Sequence, residues 1–111
     1  MKLAIIGSRN LMVDNLEKYI PIGVTEIISG GAKGIDLCAK LYAQRNEIKL
    51  TEILPEYNKY KRGAPLKRNL EIIKIADRAI AFWDGKSTGT KFVIDNCKKQ
   101  GVPIKVYIIN N

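Results

Sequence analysis

Three short stretches of this 111-residue chain combine glycine with hydroxyls or cations, the residue types that hold anions. They are Gly7-Ser8-Arg9, Ser29-Gly30-Gly31-Ala32-Lys33-Gly34 and Gly85-Lys86-Ser87-Thr88-Gly89-Thr90. Each follows an apolar run and leads toward a helix-like segment. A helix N-terminus presents unpaired N–H groups and the positive end of the macrodipole. Glycine lets a phosphate approach that backbone, and Ser/Thr hydroxyls add donors. One such turn is commonly no more than a helix cap. Three on the same edge of one sheet predict a shared anion site.

Other residues fit beside these turns. Asp36 stands near the start of its helix, where an acid either complements the dipole or meets a ribose hydroxyl. Arg68 and Asn69 open another helical stretch, and an arginine there can fork onto phosphate or carboxylate. Trp83, the single tryptophan, ends an apolar run and either stacks on a base or covers the core edge. Asp84 follows it and is the acid nearest the third turn. Gly85-Lys86-Ser87 lacks the glycine five residues earlier that a Walker loop carries, Ile80 standing there, and no GxGxxG occurs, which disfavours an ATPase and an ordinary NAD dehydrogenase. The absence of histidine removes imidazole bases and ligands. Cys38 and Cys97 read as small core residues of a reducing cytoplasm, not as a metal site. No cofactor and no metal are expected.

The elements that position these residues follow from hydrophobic pattern. Residues 2–7, 25–31, 49–55, 78–82 and 103–109 are short apolar runs, most of them bounded by glycine or proline, and read as buried strands. Residues 13–20, 33–46, 66–76 and 90–101 carry apolar positions at helical spacing. The last ends at Gly101, suited to a left-handed C′ position. The βαβαβαβαβ order predicts one domain over 1–111: an α/β three-layer Rossmann-like sandwich with a five-stranded parallel sheet and helices on both faces. Ligands bind such sheets outside the carboxyl ends of the strands, near the switch in strand order.

Net charge is +8, from 19 basic and 11 acidic residues, and favours anionic partners. Residues 58–69 hold Lys59, Lys61, Arg62, Lys67 and Arg68 without an acid, and read as a basic loop beside the cleft. No apolar run approaches the ~20 residues of a bilayer span, and the N-terminal apolar stretch is too short for a secretory signal. A cytoplasmic protein with no membrane partner is expected.

Taken together, "GSR", "SGGAKGID", "RN" and "ADRAIAFWDGKSTGT" resemble the SLOG superfamily, which contains the DprA family and the LOG phosphoribohydrolases. The likeness spans essentially the whole chain and is nearest to the compact YspA/YpsA-related proteins. LOG enzymes carry an Arg-Lys pair before the fourth strand, then PGGxGTxxE. Here Arg68 matches their arginine, Asn69 replaces lysine, and Val93 stands where the catalytic glutamate would be. A valine can neither polarise a ribosyl bond nor activate water. The resemblance therefore implies a nucleotide cradle built from Gly30, Gly31, Gly34, Arg68, Ser87, Gly89 and Thr90. Binding or sensing a nucleotide-type small molecule, ADP-ribose-like or a nucleotide sugar, is the leading expectation. The first alternative is a nucleotide N-glycosidase using Arg68 and Asp84. The second is DprA-like binding of single-stranded DNA, with residues 59–68 as the basic surface and Tyr57, Tyr60 and Trp83 as stacking platforms. LOG-like relatives pair through helices, so the resemblance also admits a homodimer.

Overall fold

The computed structural model describes residues 1–109. Five strands form one parallel sheet: β1 Lys2–Gly7, β2 Glu26–Ser29, β3 Lys49–Glu52, β4 Arg78–Trp83 and β5 Ile104–Ile108. Their order is β3-β2-β1-β4-β5, so the chain moves outward from β1 in one direction and then in the other. The reversal lies between β1 and β4, which pair from Leu3↔Arg78 to Gly7↔Phe82.

Alternation along each strand divides the core in two. Leu3 and Ile5 of β1, Ile27 of β2, and Ile80 and Phe82 of β4 face one layer. Ala4 and Ile6, Ile28 and Ala79 face the other. Helix α1, Ile35–Arg45, covers the first face with Ile35, Cys38, Ala39 and Ala43. Helix α3, Ala64–Ile75, and helix α4, Thr88–Gln100, cover the second with Ile72, Ile73, Val93 and Cys97. The doubly wound α/β architecture expected from the apolar runs is the one observed.

Two expected elements differ. The helix expected over 13–20 shrinks to a single 3-10 turn, Leu16–Lys18. Pro21 disfavours helical backbone at Ile20, and Asp14-Asn15 compete for the backbone with their own side chains. The apolar residues of this segment act as separate anchors instead. Leu11 and Leu16 are buried on the α1 face. The Tyr19 ring meets Phe82 edge-on at 5.0 Å and Tyr107 at 4.7 Å, covering β4 and β5 where no helix lies. The basic loop expected over 58–69 is instead helical throughout: α2 Tyr57–Tyr60, a 3-10 turn Lys61–Gly63, then the start of α3. Pro65 in the first turn of α3 explains the earlier start, since a proline there gives up only an orphan N–H.

Gly7 makes the contact between β1 and α1 possible. A Cβ added there would lie 2.6 Å from Ile35 Cβ and 2.8 Å from Cγ2. Ile35 is fully buried at the start of α1 and cannot retreat. Gly7→Ala is expected to destabilise the protein by roughly 1–3 kcal/mol through overpacking, read as a lower urea midpoint.

Candidate functional site

The strand reversal opens a cleft of about 510 Å3 at the carboxyl ends of β1, β2 and β4. That is the size range of a small-molecule pocket and the position at which doubly wound sheets bind ligands. From the end of β1 it is lined by Gly7, Ser8, Arg9 and Asn10, and after β2 by Gly30, Ala32 and Asp36. Helix α3 adds Pro65, Leu66, Arg68 and Asn69, and the segment after β4 adds Asp84, Ser87, Thr88, Gly89 and Thr90. The three glycine-rich turns therefore meet on one cleft.

Five of the residues singled out in the sequence stand outside that lining. Ser29 is fully buried and receives the Gly31 N–H at 3.5 Å. Gly31 packs under Leu54, and a Cβ on Gly34 would lie 2.8 Å from the Arg9 carbonyl carbon, so both shape the turn from behind. Gly85 occupies the left-handed region, φ +81°, at the tip of the third turn. Trp83 does not wall the cleft; its indole Nε1 donates to the Ser87 carbonyl at 3.0 Å and holds the turn shut. Ile6, Asn10, Pro65, Leu66 and Ile72 line the cleft without a chemical signal of their own in the sequence. Adjacency to Gly7-Ser8-Arg9 and a helical-turn offset from Arg68 are the signals that find them.

Asp84 organises the third turn. Its Oδ1 accepts the N–H groups of Lys86 and Ser87 at 2.8 and 2.7 Å, and its Oδ2 accepts the Ser87 hydroxyl at 3.0 Å. Its own N–H donates to Ser8 Oγ at 3.3 Å, tying the ends of β1 and β4 together. The backbone donors of Ser87 and Lys86, then the Ser87 hydroxyl and Asn10, hold the Asp84 carboxyl down at about 2. A carboxylate so engaged is a poor proton acceptor at neutral pH. The catalytic position considered for Asp84 is therefore filled by a structural anion.

Beyond that turn the chain enters α4 at once. The helix expected from residue 90 begins two residues earlier, so Thr88 and Gly89 form its first turn with Thr90. Ser87 spends its hydroxyl on Asp84 and does not cap the helix, and no acid stands in the first turn. The N–H groups of Thr88, Gly89 and Thr90 have no partner among the described residues. Thr90 is 5% exposed, and its hydroxyl likewise makes no hydrogen bond among the described residues. A Cβ on Gly89 would meet nothing within 4 Å, and its φ is not positive. Neither backbone nor packing requires a glycine there. Val93, one turn on, is fully buried beside Cys97 in the core.

Arg68 differs most from its expected role as an exposed cation at a loop edge. It is only 7% exposed. Nη1 donates to the Gly30 carbonyl at 2.6 Å and to the Ile53 carbonyl at 3.3 Å, and Nε to Asn69 Oδ1 at 2.8 Å. Nη2 has no hydrogen-bond partner among the described residues, and none of their buried side-chain nitrogens or oxygens is left unpaired, so Nη2 opens on the cleft. Burial pulls the guanidinium pKa down; Asp36 pushes it up and Arg9 down. A Cβ on Gly30 would lie 2.8 Å from Arg68 Cζ and 3.0 Å from Asp36 Oδ2. Gly30 is thus the gap through which arginine and aspartate approach each other.

The cations of 59–67 lie apart from this pair. Lys59, Lys61, Arg62 and Lys67 are exposed, and the ammonium groups of Lys59 and Lys67 stand 5.2 and 5.6 Å over the Tyr60 ring.

With this geometry in place, the chain is similar to the gene 61 protein of Mycobacterium phage D29, at 29% identity over 99 residues, covering 84% of this chain and 78% of that protein. No family model matches the chain, and no solved structure matches it. Among the described residues no helix is long and apolar enough to cross a membrane.

Arg68→Ala is expected to cost roughly 2–4 kcal/mol in folding, since it removes hydrogen bonds to a charged group and strands buried carbonyls. A denaturation midpoint that falls at constant m-value checks this. Asp84 has a depressed folded pKa, so its contribution is present above the ordinary carboxylate range and is lost as pH falls toward about 2. Asp84→Asn keeps the acceptor for Lys86 and Ser87 but removes the titration. Thermal midpoints taken from about pH 4 downward are expected to fall less steeply for the variant.

Proposed function

We propose that the protein binds a nucleotide or nucleotide-derived small molecule, with its phosphate seated on the first turn of α4. One observation carries this reading: Gly89 faces open space in the cleft where the protein has no use for a glycine. Glycine inside a helix costs up to about 1 kcal/mol relative to alanine. Three N–H groups without an intrahelical partner belong to Thr88, Gly89 and Thr90, which line the same end of the cleft. Arg9 and Arg68 face the cleft and repel each other, a cost that an anion between them removes. The SLOG resemblance supports the same choice, because its glycine-threonine loop falls on Gly89-Thr90.

Binding is favoured over hydrolysis. The position of the LOG glutamate is Val93, which packs in the core, and Asp84 is held as an anion by its own turn. Single-stranded nucleic acid is the second reading, favoured by the exposed cations that precede α3 in the chain.

Gly89→Ala separates the site from the scaffold. The variant is expected to gain a few tenths to about 1 kcal/mol of stability without ligand, because nothing crowds the added methyl. It is expected to bind adenosine monophosphate about tenfold more weakly or worse, since the methyl stands where the phosphate must approach. Calorimetric titration and thermal shift on both proteins read the two effects. Equal affinity in the variant removes the phosphate from α4. Oligonucleotide binding that falls steeply with salt, without a nucleotide shift, replaces this reading by the second.

A further inference from the structure

The two edges of the sheet are unlike. At β3 the edge is short and charged: Lys49 and Glu52 end the strand, and Lys49 Nζ stands 3.6 Å from Glu26. Charges of that kind keep an edge from pairing with another chain. At the other edge, β5 carries one charge, Lys105, among Ile104, Val106, Tyr107 and Ile108. Ile108 is 61% exposed.

The pairing with β4 fixes which backbone groups of β5 are left over. The Pro103 carbonyl accepts the Ala79 N–H at 2.9 Å, and the Ile109 N–H donates to the Trp83 carbonyl at 2.8 Å. Backbone groups alternate in direction along a strand, so Lys105 and Tyr107 also turn toward β4. Ile104, Val106 and Ile108 turn the other way, and their N–H and C=O groups have no partner strand among the described residues.

We propose that this edge is an interface with a second copy of the chain. The two β5 strands pair antiparallel across a twofold axis at Val106, and the sheet continues from one molecule into the next. The order Ile104-Lys105-Val106-Tyr107-Ile108 complements itself in that register. Val106 faces Val106 of the second copy and Ile104 faces its Ile108, so every outward N–H and C=O of the strand is paired. Lys105 falls opposite Tyr107 of the second copy at a non-hydrogen-bonded position, where side chains stand closest. Its ammonium already lies over an aromatic face, 5.6 Å from its own Tyr107 ring. Moving the axis to Lys105 sets the two ammonium groups against each other. Moving it to Tyr107 carries Ile104 past the end of the opposing strand. Charge and pairing therefore select one register. No residue of β5 lines the cleft, so the pairing leaves it open and does not depend on what it binds. The strand supplies five residues a side, against about 20–30 in a standard interface. The dimer is therefore weak and dissociates on dilution.

Sedimentation and amide hydrogen exchange of the whole chain, across roughly 10 µM to 1 mM, test this pairing. The dimer fraction is expected to rise with concentration. Exchange of the Ile104, Val106 and Ile108 amides is expected to slow by about tenfold once most chains are paired. The Lys105 and Tyr107 amides, which face β4, are expected to stay protected throughout. Val106→Pro removes an outward N–H, a loss that an edge strand tolerates, and is expected to remain folded and monomeric. A wild-type chain that stays monomeric overturns the inference and leaves the edge to a strand of another protein. A dimer that forms without slowing the Ile104, Val106 and Ile108 amides also overturns it and puts the interface elsewhere, the helices included. So does a Val106→Pro dimer as tight as the wild type. The wild-type exchange pattern decides even where the variant fails to fold.

Discussion

The buried guanidinium of Arg68 must be given acceptors, and much of the cleft is shaped by how it gets them. A cation taken out of water is tolerated only when hydrogen-bonded or paired. Here the acceptors are backbone carbonyls of Gly30, just past β2, and Ile53, just past β3, together with Asn69 on its own helix. Those bonds tie the N-terminal part of α3 to the carboxyl edge of the sheet. They also explain Gly30, whose missing side chain leaves room for the guanidinium on one side and the Asp36 carboxylate on the other. One residue therefore does two jobs: Nη1 and Nε hold the scaffold while Nη2 opens on the cleft.

A second network closes the opposite wall. Asp84 gathers Lys86, Ser87 and the Ser87 hydroxyl into a tight turn, and Trp83 clamps the Ser87 carbonyl from outside. Ser8 connects the turn to β1, taking the Asp84 N–H while its own N–H goes to the Phe82 carbonyl. With its capping residue committed elsewhere, α4 presents bare N–H groups to the cleft. The acid that a catalytic scheme would recruit is thus the one the turn cannot release.

Gly89 stands in the first turn of its helix with open space beside it, burial pushes the Asp36 carboxyl up, and burial and Arg9 pull the Arg68 guanidinium down. The basic ridge of α2 and the following turn is different. Its cations are solvated or lie over Tyr60, so they raise the surrounding potential without shaping the cleft.

Sequence alone determined the five strands, their parallel pairing and the meeting of the glycine turns at one edge. Buried strands are continuous apolar runs, and periodicity is a local property that needs no tertiary information. The same logic over-extended at 13–20, where the apolar residues pack on the core without a helix and Tyr19 lies against Phe82 and Tyr107 from distant strands. Arg68 was illegible for a related reason. An arginine in a basic run reads as solvated, and its acceptors are main-chain carbonyls 38 and 15 residues away that carry no side-chain signature. Trp83 looked like a ligand wall because its partner, the Ser87 carbonyl, is equally invisible in sequence. Which glycines serve packing and which leave space was decided by tertiary structure alone: Gly7 is filled by Ile35 and Gly30 by Arg68, while Gly89 faces an open cleft. Composition reports that a side chain is missing. Only the surrounding atoms say what takes its place.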